Sequence, residues 1–481
     1  MLWSIKRITL GELNSITRIA FRYGRACLTE CPQAVVELVA ESDRVVQCGY
    51  SGDCLPPLWF DKSPGKSFEQ QLHDMYAAFQ TAARCWAESF DHPRLVFDGW
   101  LEAHEATLRA ATEQGLPPLL ASFGSSLMER ALVDAVCRAI GLSFFDAVRL
   151  NVFGIRPEQV HPELAGQEPR HWLPARPHTR IAVRHTVGLA DPLTEAELAG
   201  GSWPQDGFPV AVETYVRDHG VRFVKVKLSG QADRDLERLE KLAELLERYR
   251  QNDYGVTVDG NELYGDPDEF LRLIEAMRRS PRLKNFWSNT LAIEQPLPRD
   301  VAFDKSRMER LADVLAEKPV IIDESDCRLD SFRQAAEVGY RGVSSKNCKG
   351  TIKSLLNAGY IAWHNHTRKG CSWIMTGEDL CSVGIIPVQA DLCLAAALGL
   401  EHVERNGHHY HRGLSYLPRP EQEEALIWHG DFYAERAGRI SPNLIDGEFS
   451  IGSLQCAGFG FAVVPRMSER RCRTLWESRS V

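Results

Sequence analysis

Lys225 and Lys227 are followed along the chain by Asp259, Glu294 and Asp323, and then by Lys346. Amines and carboxylates are groups that can donate and accept protons when held against a reacting centre. Each of these stands at the end of a short, mostly apolar run: Phe223-Val224-Lys225-Val226-Lys227, Val256-Thr257-Val258-Asp259, Leu291-Ala292-Ile293-Glu294, Val320-Ile321-Ile322-Asp323, and Gly342-Val343-Ser344-Ser345-Lys346. Successive side chains of a β-strand point to opposite faces. Val224, Val226 and Leu228 therefore share one face, and Lys225 and Lys227 the other. By the same parity, Val256 and Val258 oppose Asp259, Ile293 opposes Glu294, and Ile322 opposes Asp323. One rule covers all five runs: apolar residues turn toward covering helices, and a charged residue turns inward at the C-terminal end. A parallel β/α barrel assembles its site in this way.

The intervening segments fit that architecture. Positions 227, 259, 294, 323 and 346 lie 32, 35, 29 and 23 residues apart, close to the roughly 31 residues per unit of an eightfold barrel. Amphipathic stretches follow the runs, most clearly 232–250, where Leu236, Leu239, Leu242, Leu245 and Leu246 recur on one side. Beyond Lys346 the pattern predicts a helix to about 368, a seventh strand at 372–376, a helix over 387–400 and an eighth strand near 402–405. Upstream, a strand near 34–46, a turn-rich stretch over 48–57 and helices over 68–89 and 126–140 predict an α+β unit. The proline-punctuated segment 155–180 reads as a linker or inserted loop. The expected fold is thus α/β: a modified (β/α)8 TIM-type barrel over 181–428, an α+β capping domain over 1–152, and a C-terminal segment, 429–481, packing back on the capping domain.

At 481 residues with 44% hydrophobic content, the chain can bury a large core. A net charge of -9 and a pI near 6.0 argue against nucleic-acid and anionic-membrane partners. No apolar run reaches membrane-spanning length, and the first residues lack a secretory pattern. The thirteen scattered cysteines read as reduced thiols, so a cytoplasmic protein is expected.

Lys225-Val226-Lys227, Asp259-Gly260-Asn261, Ile293-Glu294-Gln295-Pro296, Asp323-Glu324-Ser325 and Ser345-Lys346-Asn347-Cys348-Lys349-Gly350, in this order, resemble the enolase superfamily, on the branch of mandelate racemase and muconate-lactonizing enzymes. The resemblance implies that Asp259, Glu294 and Asp323 bind one Mg²⁺, that Lys227 and Lys346 flank the substrate as acid/base residues, and that Lys225 supports Lys227. It also implies abstraction of the proton next to a substrate carboxylate through an enediolate. Mg²⁺ prefers oxygen ligands and would stabilise the charge that develops there. A lysine or histidine base working beside Mg²⁺ is the general pattern of this superfamily. Lys225 as a neighbouring cation should lower the proton affinity of Lys227.

A lysine on the sixth strand resembles the cycloisomerase, succinylbenzoate-synthase and dipeptide-epimerase group. Racemase or epimerase chemistry on a small-molecule carboxylate is the leading expectation. An acid-sugar dehydratase, a cycloisomerase or a non-catalytic metal-binding relative are the alternatives. Homo-oligomerisation is compatible with the sequence. Asn261, Glu324, Glu378 and Tyr50 are candidate substrate contacts, with Asp379 beside them at the barrel mouth. His364 and His366 read as helix surface or helix end, and His408, His409 and His411 as solvated loop histidines.

Overall fold

Isoleucine, valine, threonine and aromatic residues recur through the first forty positions and form a long antiparallel hairpin, β1 (Ser4–Tyr23) and β2 (Ala26–Glu41). In this computed structural model, which describes residues 1–478 except 369 and 371, β3 (Val46–Cys54) extends the hairpin into a sheet. The expected strand over 34–46 and turn-rich stretch over 48–57 are therefore corrected: the chain turns at 42–45, and the glycines lie inside a strand. Gly49 is there because β3 crosses close to a helix, where a Cβ would sit 2.2 Å from the Ala131 carbonyl oxygen. Glycine in a strand can mark such close backbone approach as well as a turn.

Three helices cover this sheet: α1 (Phe68–Ser89), α2 (Val96–Glu113) and α3 (Pro118–Ile140). The Ser67 side chain and Gln70 close a capping box at the start of α1. Helix α3 starts earlier than expected because Ser122, Gly124 and Ser125 dilute its apolar pattern. It ends at Gly141, whose φ of 68° provides a left-handed cap. Its residues from Leu119 to Cys137 are all buried, so it is the axis of the N-terminal unit.

Eight parallel strands form the barrel: β4 (Arg180–Val187), β5 (Phe223–Lys227), β6 (Gly255–Asp259), β7 (Thr290–Glu294), β8 (Val320–Ile321), β9 (Gly342–Ser345), β10 (Ile374–Gly377) and β11 (His402–Arg405). They pair in the order β8-β7-β6-β5-β4-β11-β10-β9, and a parallel bridge between Ile322 and Val343 closes the ring. The helix Ala232–Arg250 buries Leu239, Leu242, Leu245 and Leu246 against the barrel side, which is the amphipathic face read from sequence. The expected linker over 155–180 instead makes short 3₁₀ turns packed on the helix Thr351–Thr367, with His161 stacked on Tyr360 at 4.6 Å.

The tail joins both units. After the hairpin β12 (Tyr433–Arg436) and β13 (Arg439–Pro442), β14 (Glu448–Ser450) pairs antiparallel with β4. Strand β15 (Arg471–Glu477) then pairs with β1 along Arg7 to Glu12. The segment was expected to pack back on the N-terminal unit; β15 lies there, and β14 adds a contact with the barrel. Among the described residues, no helix is long and apolar enough to cross a membrane.

Candidate active site

Strand register brings the charged residues to one level. Lys227 lies opposite Asp259, Asp259 opposite Glu294, and Glu294 opposite Ile321, two residues before Asp323. Lys346 directly follows Ser345, which lies opposite Gly377, and Glu378 follows in turn. All of these side chains are buried at the C-terminal end of the barrel.

Lys225 is the centre of this cluster. Its Nζ lies 2.7 Å from Glu294, 3.0 Å from Glu404 and 3.1 Å from Asp259, and it is also paired with Glu378. Lys227 Nζ donates to Asp259 Oδ2 at 2.6 Å, and Lys346 Nζ to Asp323 Oδ2 at 2.5 Å. Burial opposes a charge on Lys227 and so does Lys225, but Asp259, Glu404 and Glu294 outweigh them and raise its pKa. The expectation of a lowered Lys227 is therefore corrected: the carboxylates around it hold its proton more strongly than the neighbouring lysine repels it. Burial likewise opposes the charge of Lys346, yet Asp323 holds its pKa well above the ordinary range, assisted by Glu378 and Glu294.

The carboxylates divide unequally. Burial pushes Glu294 well above the usual carboxylate range, and Asp259 and Glu378 add to the rise. Against burial, Lys346 and Lys349 hold Asp323 well below that range. Lys225, Lys346 and Arg184 do the same for Glu378. One oxygen from each of Glu294, Asp323 and Glu378 lies within 4.8 Å of the others. Among the described residues this is the group whose oxygens converge closely enough to share an ion. Asp259 is not in it, a departure from the expected trio; its two oxygens face Lys227, Lys225 and the Asn261 N–H. An oxygen-only donor set fits a hard divalent cation; Asp259, joined to Glu294 and Glu378 through Lys225, fits as a neighbouring donor.

Other residues position these groups. Gln295 Oε1 accepts from the Asp323 and Ser325 N–H groups at 2.9 and 3.2 Å, while its Nε2 donates to Leu297 O and Ser325 Oγ. That bridge fixes the end of β8 relative to β7. Lys349 donates to Asp323 Oδ1 at 3.0 Å and Ser344 Oγ at 2.7 Å. Arg184 donates to Glu378 Oε1 at 2.7 Å. Glu404, Arg184 and Lys349 were not singled out from sequence. For Glu404 the signal was present, since parity in His402-Val403-Glu404-Arg405 places it opposite Val403.

The N-terminal unit roofs the cluster. A cavity of about 30 Å³ is lined by Lys227, Lys346, Asn261, Asp379, Glu404 and Asn406 below, with Phe21, Tyr23, Pro56 and Trp59 among the lining residues above. The ring of Trp59 lies 5.0 Å from Lys346 Nζ. The roof is tied down at several points. Arg18 pairs with Asp206 at 2.8 Å. Lys62 Nζ donates to Asn261 O and Glu324 Oε1, both at 3.1 Å, and lies 2.5 Å from Glu262.

Of the four candidate substrate contacts, Asn261 lines the cavity, and Glu378 lies among the carboxylates behind it. Glu324 sits instead under the roof as a partner of Lys62. Tyr50 is corrected: its N–H donates to Asp134 Oδ2 and its ring lies near Arg138, on the β3–α3 interface rather than at the cavity. His366 is exposed in the last helical turn as expected, while three other histidines are corrected. His364 is in the helix as expected but buried, stacked on Trp373 at 3.7 Å. His409 and His411 are buried beneath β1, His409 beside the Tyr215 hydroxyl and His411 beside the Ser15 hydroxyl. The hairpin that covers them is remote in sequence, so a glycine-bounded stretch looked solvated.

Residues 208–351 match a family described as "Enolase C-terminal domain-like". No curated protein sequence matches. Among solved structures, the chain resembles a dipeptide epimerase from Cytophaga hutchinsonii complexed with Mg and dipeptide D-Ala-L-Val, at TM-score 0.59 and 13% identity, covering 98% of this chain and 100% of that one. It also resembles a 2-chloromuconate cycloisomerase from Rhodococcus opacus 1CP, at TM-score 0.58 and 15% identity over 96% and 97% of the two chains. A mandelate racemase/muconate lactonizing enzyme from Roseovarius nubinhibens ISM aligns at TM-score 0.57 and 16% identity over 99% and 100%.

Proposed function

We propose that the chain is a member of the enolase superfamily and a Mg²⁺-dependent enzyme that removes the proton next to a substrate carboxylate, with racemase or epimerase chemistry; the family match over residues 208–351 and the likeness in fold to mandelate racemase/muconate-lactonizing structures support this reading. The observation that carries this reading is the placement of Lys227 and Lys346 on one small cavity, with buried carboxylates behind them.

Glu294, Asp323 and Glu378 would hold the cation, with Asp259 adjacent. When bound, Mg²⁺ would supply positive charge to stabilise an enediolate and would compete with the lysines for the same carboxylate oxygens. Lys227 and Lys346 approach the cavity from different strands, so one can take the α-proton while the other delivers a proton to the opposite face. Lys225 is not at the cavity; its role is to hold Glu294, Glu378, Glu404 and Asp259 together. The aromatic roof excludes water, which strengthens every charge interaction inside.

The test is incorporation of deuterium from D₂O at the α-carbon of a carboxylate library with Mg²⁺ present. Exchange without loss of water supports racemase or epimerase chemistry. A 2-keto acid product trapped with semicarbazide would identify a dehydratase instead. Absence of both signals across the library would overturn the reading.

A further inference from the structure

Lys346, Lys349 and Lys353 follow one another at spacings of three and four, which bring side chains to one side of a helical turn. They lie where the chain leaves β9 through the turn Asn347–Lys349 and enters the helix Thr351–Thr367. Asp323 and Asp326 are likewise three apart, in a turn closed by the Asp326 N–H donating to Asp323 O at 3.0 Å. The two rows interleave. Lys346 Nζ donates to Asp323 Oδ2 at 2.5 Å, and Lys349 Nζ lies 3.0 Å from Asp323 Oδ1 and 3.6 Å from Asp326 Oδ2. Lys353 Nζ lies 3.3 Å from Asp326 Oδ1 and donates to Asp326 O at 2.6 Å. Each of the five residues is at most 4% exposed.

The row starts at the cavity and runs away from it. Lys346 lines the cavity, whereas Asp326 and Lys353 neither line it nor belong to the converging carboxylates. The far end is held by the N-terminal unit, where Glu129 of α3 accepts from the Ile352 N–H at 2.5 Å, next to Lys353. Lys349 stands between two aspartates. With Lys353 as counter-charge to Asp326, Lys349 rests nearer Asp323 and also donates to Asp323 O and Ser344 Oγ. A buried aspartate left without its counter-charge would draw Lys349 the other way. Lys227 has a different setting: its carboxylate, Asp259, is shared with Lys225, and Glu404 lies 3.9 Å away. The row thus bears on one of the two cavity lysines.

Resting on the proposed proton-transfer chemistry, we infer that Lys353, Asp326 and Lys349 are positioning residues for Lys346 and not for Lys227. Lys353 holds Asp326, Asp326 leaves Lys349 to Asp323 Oδ1, and Asp323 presents Oδ2 to Lys346. Displacing a reacting group by about 1 Å can cost ~10²-fold in rate. Loss of an outer member of the row should therefore weaken proton transfer on the substrate face that meets Lys346 and spare the face that meets Lys227.

Deuterium uptake from D₂O by the full chain at saturating Mg²⁺ tests this, followed separately for each enantiomer of the library acids, mandelate, lactate and N-acetylalanine among them. Exchange is the readout because the base on one face can take the α-proton and return deuterium without its counterpart. Lys346→Ala marks the enantiomer that Lys346 serves. Lys353→Met should slow exchange of that enantiomer by about 10–100-fold and leave the other within about threefold. Lys353→Gln, which retains a donor for the Asp326 carbonyl, takes its place should Lys353→Met fail to fold. Combining Asp326→Asn with Lys353→Met removes the charge together with its partner, leaves Lys349 to Asp323, and should return exchange to within about threefold of the unaltered chain. Equal slowing of both enantiomers, no slowing of either, slowing of the Lys227 enantiomer alone, or a double variant as slow as the single one would each overturn the inference while the proposed chemistry stands. If the unaltered chain exchanges no acid of the library, both fail.

Discussion

Three lysines in one barrel interior perform different tasks, and their contacts tell them apart. Lys227 and Lys346 each have one close carboxylate and border the cavity, whereas Lys225 has four and does not. Replacing Lys227 or Lys346 with alanine should lower α-proton exchange by about 10²–10⁴-fold while Mg²⁺ still binds, measured by exchange rate and by metal titration. Lys225→Met should behave differently. It leaves Glu294, Glu378, Glu404 and Asp259 without their shared cation, a loss of roughly 3–5 kcal/mol in unfolding free energy. Denaturant titration should show part of that loss restored by Mg²⁺, since a bound cation stabilises the folded state by mass action. Strand parity, the spacing of the strand ends and the resemblance of the motifs together located these lysines and Asp259, Glu294 and Asp323, because a charge opposing an apolar run is unusual in a buried strand. Arg184, Lys349 and Glu404 escaped because each one alone reads as an ordinary charge beside a strand end. That Asp259 turns to the lysines, and Glu378 to Glu294 and Asp323, depends on side-chain geometry that spacing does not encode.

At the level of elements, the ends of β7 and β8 are held by one amide. Gln295→Ala would leave the N–H groups of Asp323 and Ser325 without their acceptor in a buried place, costing about 1–3 kcal/mol. It should also weaken Mg²⁺ binding, because Asp323 loses its support; thermal unfolding with a parallel metal titration reads both effects. Strand β3 shows why part of the fold was not legible. Gly49 and Gly52 look like turn residues until the neighbouring helix is known. Gly49→Ala would drive a Cβ into the Ala131 carbonyl, and overpacking of this kind typically costs about 1–3 kcal/mol. A comparable loss of stability on denaturant unfolding is expected, and a neutral effect would contradict the close β3–α3 approach. The barrel strands and their helices, in contrast, were legible through period and spacing, because each unit repeats the same burial problem.

For the molecule as a whole, histidine burial adds to the loss of stability in acid. His104 lies on α2 beside Ser125 and Trp100, and burial, with a smaller push from Lys353, lowers its pKa to about 3. An unfolded histidine titrates near 6.5. Below that pH the unfolded chain takes up a proton that the folded chain refuses, so this contribution to stability is complete above about 6.5 and is lost as pH falls toward 3. His104→Gln should therefore flatten the fall of unfolding free energy by about 1.4 kcal/mol per pH unit between roughly pH 6 and 4, seen in denaturant titrations at a series of pH values.

The pairing of β15 with β1 also sets an order of events during synthesis. Strand β1 leaves the ribosome first, yet its outer edge finds its neighbour only when Arg471–Glu477 emerges. Until then a twenty-residue strand has an open side, the kind of edge on which chains stick to one another. A chain stopped short of residue 471 should build its barrel and still clump, because a stretch made late is what shields one made early.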